Sequence, residues 1–156
     1  MGEVVSALEP ALRARIVEDT GPGAHRFVHS LVRRAVVEAM PAAERRARHR
    51  DVARALGHLD GDRSVAEVAY HSLEAVPLVT PDEAVAVARR AAAAARRAVA
   101  HDDAARLVEG VLPLVPDGVA RGELLLEVAD ARMKAGDVTE AQRRCLEATE
   151  LGRALG

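Results

Sequence analysis

Two aromatic side chains, Phe27 and Tyr70, and no tryptophan serve a chain of 156 residues of which 49% are hydrophobic. A core without large rings must be filled by Ala, Val and Leu, so its elements have to approach one another over small side chains. Ala is the strongest helix former, and β-branched runs long enough for a central strand are missing. Close-packed helices are therefore expected before any single position is considered. The charged share, 29%, completes an ordinary globular balance and argues against disorder.

The punctuation of the chain divides this helical material. Glu3 to Arg15 reads as a helix end or short helix, with Ser6–Glu9 spaced as a capping box and Pro10 placed in a first turn, where proline is tolerated. Ile16–Glu18 and His25–Val28 flank a Gly- and Pro-containing turn, the signature of a short hairpin and the only strand candidate. Val28, Leu31, Val32, Ala35, Val36, Ala39 and Met40 then recur at three- and four-residue steps opposite Arg33, Arg34 and Glu38, an amphipathic helix that Pro41 ends. The next helix covers 42–56 and stops at Gly57, before a polar loop over 57–63. Ser64–Glu67 forms a second capping box, and Thr80-Pro81-Asp82-Glu83 a better one, with Pro at the first helical position and acids at the positive helix end. Further helices are expected from Asp102 or Asp103 to Pro113–Pro116, from Val119 to Lys134 with Gly136 as a left-handed stop, and from the box Asp137–Glu140 to Leu155. The sum is an all-α fold of about seven helices with one small N-terminal β-hairpin.

Several function classes lose ground at once. The formal net charge is −2, divided as +3 over residues 1–58 and −5 over 59–156, so no global field calls for nucleic acid or membrane. Cys145 is the single cysteine, which excludes an internal disulfide and fits a reducing cytoplasm; its apolar helical spacing predicts a buried thiol. No apolar run approaches the ~18 residues of a membrane span, and the match of Met1–Ser6 to a myristoylation pattern stands without any other membrane-directed feature. Of the six histidines, His25 and His29 straddle a strand-to-helix junction, and His49, His58, His71 and His101 are scattered, so no metal set is expected. Neither a Ser–His–Asp order nor paired carboxylates at an apolar cleft can be read, and the chain is not expected to be an enzyme. Arg33, Arg34, Arg45, Arg46, Arg48 and Arg50 could meet phosphates. With Glu38, Glu44 and Asp51 among them and no base-stacking residues nearby, they read instead as a solvated or interdomain face.

The C-terminal helices repeat. Asp103-Ala104 and Glu140-Ala141 align, and Ala104 to Ala141 is a step of 37 residues, close to the tetratricopeptide period of ~34 with three residues inserted in the connecting loop. Val108 and Cys145 follow each Ala by four, where that motif usually has Phe, and Val111 and Ala148 come three further on. Pro116 ends the first unit where the motif places Pro. Leu125, Val128 and Ala129 occupy the first-helix positions of the second unit, while Arg132 stands where the motif has Tyr. Spacing and small residues thus resemble tetratricopeptide hairpins over 80–156, and the aromatics do not. Alignment on that motif turns Arg89, Arg96 and Arg97 of the first unit, and Glu123, Asp130, Met133 and Lys134 of the second, towards the concave surface, making them the candidate interaction surface.

His25-Arg26-Phe27-Val28-His29-Ser30-Leu31-Val32-Arg33-Arg34-Ala35-Val36, followed by the helix Ala43 to Leu56 with Arg45-Arg46, His49 and Val52-Ala53-Arg54-Ala55-Leu56, resembles the segment after the ATPase module in large, ATP-binding LuxR-type transcription regulators of actinobacteria. In that family a Phe-x-His-x-Leu-x-Arg-x-Ala stretch precedes such a helix and then tetratricopeptide-like repeats, an order that agrees over nearly the whole chain. The resemblance implies a partial winged-helix-like region over 1–57, whose hairpin is the wing, a connecting helix and loops over 58–79, and two hairpins over 80–156. It implies a cytoplasmic segment cut from a longer regulator, in which the repeats sense a protein partner or small effector and the winged-helix region packs against the chain's own ATPase module rather than reading DNA. No Gly-x-x-x-x-Gly-Lys-[Ser/Thr] loop is present, so ATP is expected only in a missing upstream module and no cofactor in this chain. The same arrangement accompanies some nucleotide-cyclase-linked signalling ATPases, and a stand-alone helical adaptor is the competing class.

Overall fold

The computed structural model describes residues 2–58 and 62–156, with the side chains of 7–58 and 65–156. It is 74% helical, with eight α-helices and one two-stranded antiparallel hairpin among the described residues. The order is α1 (Gly2–Arg13), β1 (Val17–Gly21), β2 (Ala24–Phe27), α2 (Ser30–Ala39), α3 (Ala42–Gly57), α4 (Asp62–Glu74), α5 (Pro81–Arg97), α6 (His101–Glu109), α7 (Val119–Lys134) and α8 (Val138–Leu155). The chain divides into two compact units, Met1–Arg45 and Arg46–Gly156.

In the first unit α1 is a 12-residue helix rather than a helix end, and Pro10 lies inside it instead of in its first turn. Proline removes one ladder hydrogen bond to the preceding turn. The helix lasts only three residues more, so the loss falls where few bonds remain to be made. The Ser6 capping box involves a side chain outside the described residues. The hairpin forms as expected, Val17 opposite Phe27 and Glu18 opposite Arg26, with Gly23 at φ +74° supplying the left-handed turn position. Arg26 Nη2 reaches Glu18 Oε1 at 2.6 Å across the strands. The amphipathic pattern of α2 is present but uncovered: the helix has no buried residue, and Leu31 is 67% exposed.

The second unit holds the main core. Each of α4 to α8 packs on the next, and α7 on α8 is the most extensive pair. The core comprises Ala92, Ala104, Ala105, Val108, Leu112, Leu124, Leu125, Val128 and Ala131, so Ala and Val fill the places where rings are absent. Thr80 begins α5 with a complete capping box: its hydroxyl accepts from Glu83 N at 3.2 Å, and Glu83 Oε2 takes the Thr80 N–H at 3.0 Å. The box at Asp137 is half formed, since Asp137 Oδ1 accepts from Glu140 N at 3.1 Å while the Glu140 carboxylate turns to Arg143 and Arg144. The expected box at Ser64 involves a side chain outside the described residues, and α4 already begins at Asp62; residues 59–61 of the expected polar loop are likewise not described. Between α6 and α7 a short 3-10 turn, Leu112–Leu114, replaces the end of the longer helix expected there, because Pro113 cannot continue an α-helical ladder.

Three-residue turns join α5 to α6 and α7 to α8, and so short a link brings the second helix back along the first. The second of these turns uses Gly136 at φ +88°. The first uses Val99 at φ +60°, a left-handed conformation that costs a β-branched residue about 1–2 kcal/mol. Two helical hairpins result, and ion pairs tie like helix to like helix. Arg89 of α5 reaches Glu127 of α7 at 2.7 Å and Glu123 at 3.4 Å. Arg144 of α8 reaches Glu109 of α6 at 3.5 Å.

Candidate functional site

The residues expected on the concave surface fall into three groups. Arg89 and Glu123 are brought together and, with Glu127, form a tie between α5 and α7. Asp130 and Lys134 pair with each other one helical turn apart, at 2.7 Å on exposed α7 surface. Met133 is half exposed, Arg96 is partly buried, and Arg97 is exposed in the last turn of α5, where a cation faces the negative helix end.

A second polar cluster centres on Arg132 of α7, the position expected from the repeat alignment to hold an aromatic. Arg132 is only 15% exposed and grips Glu109 at both oxygens, Nη2–Oε2 at 2.6 Å and Nε–Oε1 at 3.3 Å, while its Nη1 reaches Asp102. Hydrogen bonding to Glu109 raises the Arg132 pKa. Arg144, 17% exposed, shares Glu109 and also meets Glu140 at 2.9 Å and Glu147 at 3.1 Å. Between them Arg143 and Arg144 hold the Glu140 carboxyl down at about 2, the Arg143 hydrogen bond being the largest cause. These partners lie 23 and 30 residues from Arg132, a separation at which sequence spacing carries no information.

Besides a pocket of about 340 Å³ between α7 and α8, two pockets of ligand size flank α5 in the second unit. The larger, about 480 Å³, lies among α4, α5 and α6, with walls that include Ala69, Ala88, Ala91 and Ala95 and a rim that includes Tyr70 and Arg106. The alanines expected to let helices close together leave a gap here, because a methyl group cannot reach across where three helices diverge. The smaller, about 330 Å³, lies where α3 and the α4–α5 link meet α5. Both are within the size range of small-molecule sites. Sequence reasoning identified neither: Ala66, Ala69 and the alanines of α5 carry no sign of whether their faces close.

Two expectations are corrected. His49 and His71 are not scattered: their Nδ1 atoms lie 2.9 Å apart, and Tyr70 packs edge-on against both rings. Burial, then the charge of His49, lowers the His71 pKa, against the opposing pull of Glu67 and Glu74. Cys145 is exposed rather than buried. Its counterpart Val108 is covered because α7 packs on α6, whereas α8 packs chiefly on α7 and leaves its outer side, with Leu146 at 64%, open. Among the described residues no group of three or more His, Cys, Asp or Glu is placed to hold a metal ion, and no helix is long and apolar enough to cross a membrane. Comparison with protein-family models, with curated proteins and with solved structures finds no match for the chain.

Proposed function

We propose that the chain is a non-catalytic regulatory and protein-interaction segment of a signal-dependent, ATPase-type transcription regulator of the cytoplasm, whose helical hairpins sense an effector or a protein partner. The observation that carries this reading is the Arg89–Glu123 pair. Its members stand on the first helices of two successive helical hairpins and tie them side by side, which supports the repeat reading that rests on the 37-residue step from Ala104 to Ala141. Arrays of this kind bind along the surface their first helices line, where Met133, Lys134, Asp130 and Arg96 supply apolar and charged contacts. The hairpin–helix–helix order of 16–57 supports the regulator half of the reading, through its resemblance to the segment that follows an ATPase module.

The DNA flanking the reading frame tests it. The expected result is an in-frame phosphate loop upstream and a helix-turn-helix downstream. Stop codons on both sides, with neither element encoded, overturn the regulator reading and favour a stand-alone helical adaptor. A cyclase domain in place of the helix-turn-helix overturns the transcriptional output and leaves the sensing role. Charge reversal at Arg96 and Lys134, with Arg89 spared because it ties two helices, is expected to alter signal-dependent output of the full regulator; unchanged output removes the concave surface from the proposal.

A further inference from the structure

The smaller pocket is lined differently from anything the repeat reading assigns. Arg50 and Arg54, one turn apart on α3, and Arg90 on α5 converge on it, with Glu83 as the single acid. The lining thus carries an excess of two positive charges. Glu83 is engaged, its Oε2 held by both the N–H and the hydroxyl of Thr80 at 3.0 Å. Arg50 has only its sequence neighbour Asp51, at 3.1 Å. Arg54 and Arg90 form no salt bridge among the described residues, although the structure pairs Arg89, Arg106, Arg121, Arg132, Arg143 and Arg144.

The floor supplies a second, independent observation. Ser72 is the one buried polar residue among the described residues, 4% exposed, and it lines this pocket. None of the hydrogen bonds among the described residues uses its hydroxyl. The hydroxyl is thus available to a ligand oxygen in the pocket, which can accept from it. Leu78, Val79 and Val87 line the rest, so the pocket joins a cationic, hydrogen-bonding part to an apolar part.

We propose that this pocket binds a small organic anion, its phosphate group held by the Arg54 and Arg90 guanidinium groups and the Ser72 hydroxyl, and its apolar body on Leu78 and Val87. Guanidinium forks match the oxygen geometry of phosphate, which a lone ammonium does not. The site is separate from the concave surface and does not depend on the regulator reading, since it needs only residues of this chain.

Phenyl phosphate is the probe, titrated into the whole chain and followed by backbone amide and arginine Nε–H resonances. The expected result is a saturable change at Ser72, Val87, Arg54 and Arg90, with weaker binding of inorganic phosphate and none of benzyl alcohol at the same concentration. The double variant R54Q/R90Q is expected to bind about tenfold more weakly or worse with its melting curve unchanged, since both side chains are exposed. Non-saturating changes, changes shared equally by all arginines, or unaltered affinity in the double variant overturn the site. Displacement of phenyl phosphate by excess inorganic phosphate in the unmodified chain is a check that needs no variant; failure to displace it overturns the phosphate assignment.

Discussion

Glu109→Gln is the substitution that best tests how the two hairpins are held. The change keeps the shape of the side chain and removes its charge. Glu109 is 19% exposed, and its partners Arg132 and Arg144 are 15% and 17% exposed, so the cluster sits between two measured regimes. Exposed pairs contribute about 0–1 kcal/mol, whereas removing one partner of a buried pair costs about 3–5 kcal/mol. The loss is moderated because Arg132 keeps Asp102 and Arg144 keeps Glu140 and Glu147. Glutamine also retains one oxygen acceptor, so one of the two Arg132 contacts survives. The expected cost is about 2 kcal/mol, a fall of about 1 M in the urea midpoint at the slopes usual for small proteins. Urea unfolding followed by circular dichroism measures it, with exposed Glu150→Gln as the control expected within about 0.5 kcal/mol of the unmodified chain. Because the cluster is largely shielded from solvent, the difference is expected to persist at 0.5 M salt, where exposed pairs fade. A midpoint for Glu109→Gln indistinguishable from the control would refute the idea that this carboxylate links α6, α7 and α8.

Other consequences can be checked in the same assay. Leu125→Ala, at a fully buried site, is expected to cost about 2–5 kcal/mol, and Leu126→Ala, 53% exposed, under about 1 kcal/mol; equal costs would contradict the orientation of α7. Val99→Gly relieves a left-handed β-branched residue at the price of a looser unfolded chain, so a gain of a few tenths to about 1 kcal/mol is expected, and a loss would place Val99 in some contact it does not show. Because the folded-state pKa of His71 lies below 6.5, the unfolded chain takes up the proton first as pH falls. The stabilisation is present above about pH 6.5 and is lost as pH drops through the folded value. His71→Gln is expected to flatten the pH dependence of the melting temperature over that interval, and an unaltered slope would exclude His71 as its source.

What could be read from the sequence was local. Thr80-Pro81-Asp82-Glu83 announced a helix start because both capping partners lie within four residues, and Gly136 announced a turn because only its own backbone freedom was required. Periodicity exposed the helices for the same reason. What could not be read was which faces find a partner. The α2 stripe reads as a core face and is uncovered. Cys145 reads as buried because Val108 is, yet burial depends on what packs outside α8 rather than on spacing. His49 and His71 meet across 22 residues, and Arg132 appeared only as a missing Tyr until Glu109 and Asp102 arrived from another helix. The anion pocket draws Arg54, Ser72 and Arg90 from three helices, and no window along the chain holds them together.

The alanine contacts between α4 and α5 have a mechanical consequence. Ala75, just after α4, and Ala84 of α5 are wholly or nearly buried, while Ala69, Ala88 and Ala91 line the larger pocket. Alanine has no rotamer to change, so it cannot latch into a neighbouring helix as a leucine knob does. Axial sliding of α4 over α5 meets ridges one methyl group high at these positions, and Leu73 of α4, seated against Gly110, is the larger side chain that must move with it. Packed helices that shift in this way follow shear rather than hinge motion. A displacement of α4 would move Ser72 relative to Arg90, and both line the smaller pocket.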